Sequence, residues 1–260
     1  MTRTQALFAV HVVAVLFGTC GILGELIEAS AGVITWGRAL FAVLALAACG
    51  SWVARHSNSS PSFAALLQNG QWLALLASGA MLAVHWVSFF VSVKVGGIAV
   101  ATLGFATFPA FITLIEWGLL RERVARAEWW RLICVTVGLL LVTPSIDLSD
   151  AGTEGLLWGV LSGASFGVLA VMNRRYLSRI DAFQVAGLQN LVVFALLTPW
   201  AMPQLSAVSL PSWGWIMLLG VVCTGLAHLL FVSALRQLHA RTAGLVVALE
   251  PVYAILFAWL

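Results

Sequence analysis

Long apolar runs follow one another along this chain with only short polar breaks, and that spacing decides what it can fold into. A bilayer crossing needs roughly 20 mostly apolar residues. With no water present to satisfy backbone N–H and C=O groups, such a run closes its own hydrogen bonds as a helix. Apolar runs bounded by charges or turn residues divide the chain into nine such segments, at residues 6–23, 32–49, 72–93, 98–119, 130–142 (the shortest), 156–173, 183–200, 213–235 and from 242 to the end. They are numbered spans one to nine. Turn residues separate them at 57–61, at Gly96-Gly97, at Pro144-Ser145 and between Pro199 and Pro211. The ten-residue alternation of a membrane β-strand is missing. Composition excludes a soluble domain: 62% of residues are hydrophobic and 9% charged, against about 45–50% and about 25% in soluble chains. The fold expected is all-α and integral to the membrane.

Charge placement orients the spans. With the N-terminus in the cytoplasm and sides alternating, the cytoplasmic segments receive Arg3, Arg55, Arg121, Arg123, Arg126, Arg131, Arg174, Arg175, Arg179, Arg236 and Arg241, eleven of the thirteen basic residues. Lys94 falls outside and Arg38 lies within span two. A net charge of +3, so dispersed, gives nucleic acid nothing to bind. Cys20, Cys49, Cys134 and Cys223 sit in apolar runs without CxxC spacing, so neither a disulfide framework nor a metal site is expected, and no cofactor motif appears. Span one lacks a small-x-small cleavage site and reads as an uncleaved helix.

The chain repeats itself. Leu16-Phe17-Gly18 recurs as Ser165-Phe166-Gly167, Phe90-Val91-Ser92-Val93 as Phe231-Val232-Ser233-Ala234, and Pro109 as Pro251, at separations of 149, 141 and 142 residues. Five spans lie between the copies, so the halves face opposite ways, as in many secondary transporters. Residues 1–145 form the first five-helix repeat and residues 146–260 the second. The second stops in an apolar run after four helices, and a tenth is expected beyond Leu260.

Polar groups inside spans are costly and stand as functional candidates. Arg38 lies about 10 Å into span two at 1.5 Å per residue; it either holds a substrate carboxylate, snorkels, or pairs with a helix carbonyl or an acid. Glu250, just before Pro251, is either a proton or ammonium site or a partner for kinked backbone. Glu116 sits near the end of span four, within reach of the interface or Arg121. His85 and His228 lie near mid-span, as substrate-wall residues or as interhelical hydrogen-bonding groups. Gln189 and Asn190 read as helix glue, and His11 as structural. Gly159, Gly163 and Gly167 recur once per turn, a close-packing stripe. Phe17, Trp86, Phe89, Phe90, Phe105, Phe108 and Phe166 are either lipid-facing or the wall of a pocket. Pro109 and Pro251 are candidate hinges. Trp52, Trp129, Trp130, Trp158, Trp200, Trp213 and Trp215 mark span ends, as an interfacial belt does.

Arg38, Phe108-Pro109 with the following Leu119-Leu120-Arg121-Glu122-Arg123, Thr224-Gly225 and Leu249-Glu250-Pro251, in that order, resemble the EamA-type family of the drug/metabolite transporter superfamily. The resemblance covers essentially the whole chain. It implies ten helices in a 5+5 inverted repeat, both termini cytoplasmic, and a central cavity lined by helices one, three, four, six, eight and nine. It also implies export of amino acids or related metabolites by alternating access. His85-Trp86 and the aromatic-rich spans are most similar to the aromatic and broad-range amino acid exporters. The expected partners are a small-molecule substrate and membrane lipid, with a monomer as the default assembly. A nucleotide-sugar or phosphorylated-metabolite antiporter shares this fold but needs several cavity cations for phosphate. A membrane enzyme needs clustered acids or histidines at one face, and the acids here are scattered.

Overall fold

The computed structural model describes residues 1–56, 71–142 and 150–259. Every regular element among them is helical, as the apolar runs predict. Span one is Arg3–Leu26, started by a capping box in which Thr2 Oγ1 accepts from Gln5 N and Gln5 Oε1 accepts from Thr2 N. Span two is Ala31–His56. Span three runs into the first half of span four as Gln71–Phe105, with the chain redirected at Gly97. Gly97 has φ 83, a backbone conformation that a side chain resists. Among the described residues six helices are long and apolar enough to cross a membrane, and Phe108–Leu119 is a shorter apolar helix.

Several ends differ from the hydropathy reading because local hydrogen bonds set them. Span five begins at Arg126, with Glu128 Oε2 accepting from Ala125 N at 2.8 Å. Span six begins at Ala151, capped by Asp150, and span seven at Ala182, capped by Asp181. Pro199 lies within the helix Ala182–Ala201, and Met202–Ala207 continues as a 3-10 turn, so the break predicted from Pro199 comes later. Span eight, Leu210–Leu235, carries a wide π-turn at Val221–Leu226. The boundary placed between residues 145 and 146 lies outside the described residues, as does the turn predicted at 57–61.

Spans four and nine break in the same way. The first resumes as Phe108–Leu114 after Ala106-Thr107, the second as Glu250–Trp259 after Ala248-Leu249. Each proline is the second residue of the resumed helix, where its missing N–H costs nothing. The flanking bonds match one for one: Ala110 N to Thr107 O (2.9 Å) and Val252 N to Leu249 O (3.0 Å), Phe111 N to Thr107 O and Tyr253 N to Leu249 O (both 3.3 Å). Glycine contacts match as well. A Cβ on Gly167 would lie 2.9 Å from Phe111 Cβ and 3.2 Å from the Phe108 carbonyl oxygen. One on Gly18 would lie 2.8 Å from Tyr253 Cβ and 3.3 Å from the Glu250 carbonyl oxygen. Phe108 and Glu250, like Phe111 and Tyr253, stand as far apart in sequence as the two prolines. One local structure occurs twice.

Span six packs on spans three and four through bare backbone. A Cβ on Gly155 would lie 2.6 Å from Gly96 Cα, on Gly159 3.0 Å from Gly104 Cα, and on Gly163 2.9 Å from the Phe105 carbonyl oxygen. This is the closeness that one small residue per turn permits.

Candidate functional site

Close packing of spans one, two, three, four and nine leaves a small gap between them, lined by Phe17, Cys20, Arg38, His85, Trp86, Phe89, Phe105 and Glu250. Seven of these, all but Cys20, are among the candidates read from sequence. The aromatic members face inward, and the lipid-facing alternative falls: Phe17, Trp86, Phe89, Phe105, Phe108 and Phe166 are all buried. The gap offers about 20 Å³ to the centre of a water molecule, room for roughly one or two waters. An amino acid does not fit until the walls separate.

Arg38 does not snorkel. It is 2% exposed, its Nε donates to Thr224 Oγ1 at 2.7 Å, and Nη2 reaches the Cys223 carbonyl at 3.4 Å. Both acceptors lie in the π-turn of span eight, whose extra residue offers backbone to a side chain. Gly220 allows the approach, since a Cβ there would lie 2.8 Å from the Arg38 carbonyl oxygen. The guanidinium carbon stands 4.2 Å above the Trp86 ring centroid and 5.3 Å from that of Phe90, so aromatic faces hold part of its charge. Among the described residues no carboxylate lies within 4.0 Å of it. Glu250, also 2% exposed, has a buried Oε2 with no hydrogen-bond partner.

His85 is anchored to span six, Nδ1 lying 2.8 Å from Ser162 Oγ and 3.1 Å from the Ser162 carbonyl oxygen. Its ring packs 5.0 Å from Phe105 and 4.8 Å from Phe166, which meets Phe17, Phe108 and Phe231 in turn. Phe166 therefore backs the lining. His228 stands behind Trp86, at 6.1 Å between rings, and its Nε2 donates to Gln189 Oε1 at 2.9 Å. Gln189 Nε2 then donates to Ser78 Oγ and Asn173 Oδ1, both at 2.7 Å. This buried relay joins spans three, six, seven and eight, which fits glue rather than a wall. Asn190 bonds its own helix at the Ala186 carbonyl.

Glu116 has a different partner from the Arg121 expected. Arg241, at the start of span nine, gathers Glu116 on Nε, Glu128 on Nη1 at 2.6 Å and Glu122 on Nη2 at 3.3 Å. One arginine thus ties span nine to the ends of spans four and five. Beside it, on the arginine-bearing face, a vestibule of about 590 Å³ is lined by Glu116, Glu122, Arg174, Arg175, Arg179 and His239, among others. Sequence reading missed Arg241, Ser162 and Cys20, which carry no motif. Thr224 was visible only through the Thr224-Gly225 pair.

A multi-helical membrane bundle with a small buried gap beside two broken helices fits a membrane transporter. The model of the EamA-like transporter family matches residues 4–143 and 153–260, and the chain belongs to that family. Its relatives include the uncharacterized transporter YxxF of Bacillus subtilis (strain 168), 22% identical over 257 residues, covering 97% of this chain and 80% of that one. The pseudopaline exporter CntI of Pseudomonas aeruginosa (strain UCBPP-PA14) is 28% identical over 153 residues, covering 57% and 52%. A crystal structure of 19% identity superposes with a TM-score of 0.71, covering 98% of this chain and 88% of that one, a likeness of fold. The family implies a small-molecule substrate, a lipid environment and, from its bacterial members, the cell membrane.

Proposed function

We propose that this protein is a secondary transporter exporting amino acids, aromatic and other neutral ones included, and related small metabolites across the cytoplasmic membrane by alternating access. The observation that carries the reading is a small aromatic-walled gap whose lining side chains are all buried, drawn from both halves beside a broken helix, with Arg38 and Glu250 in its wall. The matched breaks and glycine contacts support the two repeats, and the arginine distribution supports their inverted arrangement with a cytoplasmic N-terminus. Among the described residues Arg38 is the one arginine or lysine lining the cavity, which argues against a phosphorylated substrate. The exporter among its relatives supports the outward direction.

The test is flux of labelled aromatic and small neutral amino acids into proteoliposomes of the intact protein, without ATP. Saturable flux of several supports the reading, and transport confined to another metabolite class overturns it. The breaks carry a second expectation. Pro109→Ala and Pro251→Ala restore a backbone N–H and let the helix run on. Each is expected to slow flux on the order of tenfold, since rocking needs the backbone to bend. Unchanged rates would show that the prolines are not hinges.

A further inference from the structure

Two ionisable side chains, each 2% exposed, share the cavity without being paired to one another. They come from opposite halves, Arg38 from span two and Glu250 from span nine. A buried charge without a counter-ion costs several kcal/mol, and a fold selected for stability alone discards it. Here the sequence holds two such groups, one basic and one acidic, lining the same gap.

The anchoring of Arg38 leaves donors to spare. A guanidinium has five N–H groups, and the bonds to Thr224 and Cys223 use two of them. The Trp86 face at 4.2 Å and the Thr224 bond fix the plane of the group, so the remaining donors are oriented in advance. In the same lining, Glu250 Oε2 is a buried acceptor with nothing donating to it. The apolar remainder of the wall is Phe17, Phe89, Phe105 and the His85 ring.

We infer that Arg38 and Glu250 are the two poles of a zwitterion site, Arg38 taking the carboxylate and Glu250 the ammonium of an α-amino acid whose side chain lies against the aromatic wall. This rests on the amino acid reading above and makes it specific. Charge balance gives the reason. A lone carboxylate satisfies Arg38 and leaves Glu250 bare, a lone amine does the reverse, and a zwitterion satisfies both without adding net charge. A site built to hydrogen-bond a group rejects analogues lacking it, because its own polar atoms then stay unpaired.

The experiment is displacement of bound labelled L-phenylalanine from the intact protein by L-phenylalanine, N-acetyl-L-phenylalanine, 2-phenylethylamine and 3-phenylpropionate. Each analogue lacking a pole is expected to bind about 100-fold or more weakly. In Glu250→Gln the penalty for N-acetylation should shrink to a few-fold while phenylethylamine stays excluded; in Arg38→Gln the pattern should reverse. An analogue binding within a few-fold of phenylalanine on the unaltered protein overturns the site, and that measurement needs no variant to fold. Amino acids that bind without this discrimination leave the export reading standing and remove the two poles. If no amino acid binds while another metabolite does, both readings fall.

Discussion

Gly104→Leu is expected to prevent the bundle from assembling, with a loss of about 3 kcal/mol or more of stability. A Cβ at this position would lie 2.8 Å from Gly159 Cα, 2.9 Å from the Gly159 carbonyl carbon and 3.0 Å from Val160 N. All three are backbone atoms of span six, so no side chain can swing aside. The neighbouring glycine contacts, Gly155 on Gly96 and Gly163 on Phe105, hold span six at the same distance, so relief at one point disrupts the others. In a bilayer, dispersion between closely packed helices carries much of their association, and separating the backbones removes it. The check is monodispersity and thermal unfolding in detergent, with Gly187→Leu as the control. A Cβ at Gly187 meets nothing within 4 Å, and that variant should unfold near the parent temperature. Equal behaviour of the two variants would refute the account of span packing.

Arg241→Met comes next in expected effect. It leaves Glu116, 5% exposed, beside Glu128 and Glu122 with no cation between them. Breaking a fully buried pair costs about 3–5 kcal/mol. Glu122 is well exposed and screened by solvent, which lowers the figure here to about 2 kcal/mol. The melting temperature should fall by about 5 °C. Glu122→Gln should move it little, whereas Arg241→Lys should fall between, since a single ammonium cannot meet three carboxylates as a fork does. A variant Arg241→Met as stable as the parent would mean that the three contacts contribute nothing net.

The division between what was legible and what was not follows the range of each interaction. Membrane crossing, the two proline breaks, the glycine stripe of span six and the repeat all depend on residues within a few turns of one another. A window of sequence contains their cause. Seven cavity residues were legible for a related reason, since polar and aromatic groups are rare enough inside apolar runs to stand out. Hydropathy placed helix ends less well, because Asp150, Asp181 and Glu128 act through single hydrogen bonds that an average over residues hides. Partners were beyond reach. Arg38 with Thr224, Gln189 with Ser78 and Arg241 with Glu116 each join residues more than a hundred positions apart. Their meeting depends on which helices become neighbours, and close approach at a few glycines decides that. The sequence by itself determined that this chain is a helical membrane bundle with matching breaks at Pro109 and Pro251. Only the tertiary packing decided that Arg38 and Glu250 line one cavity, because residues of spans two and nine share a site only after those helices have come together.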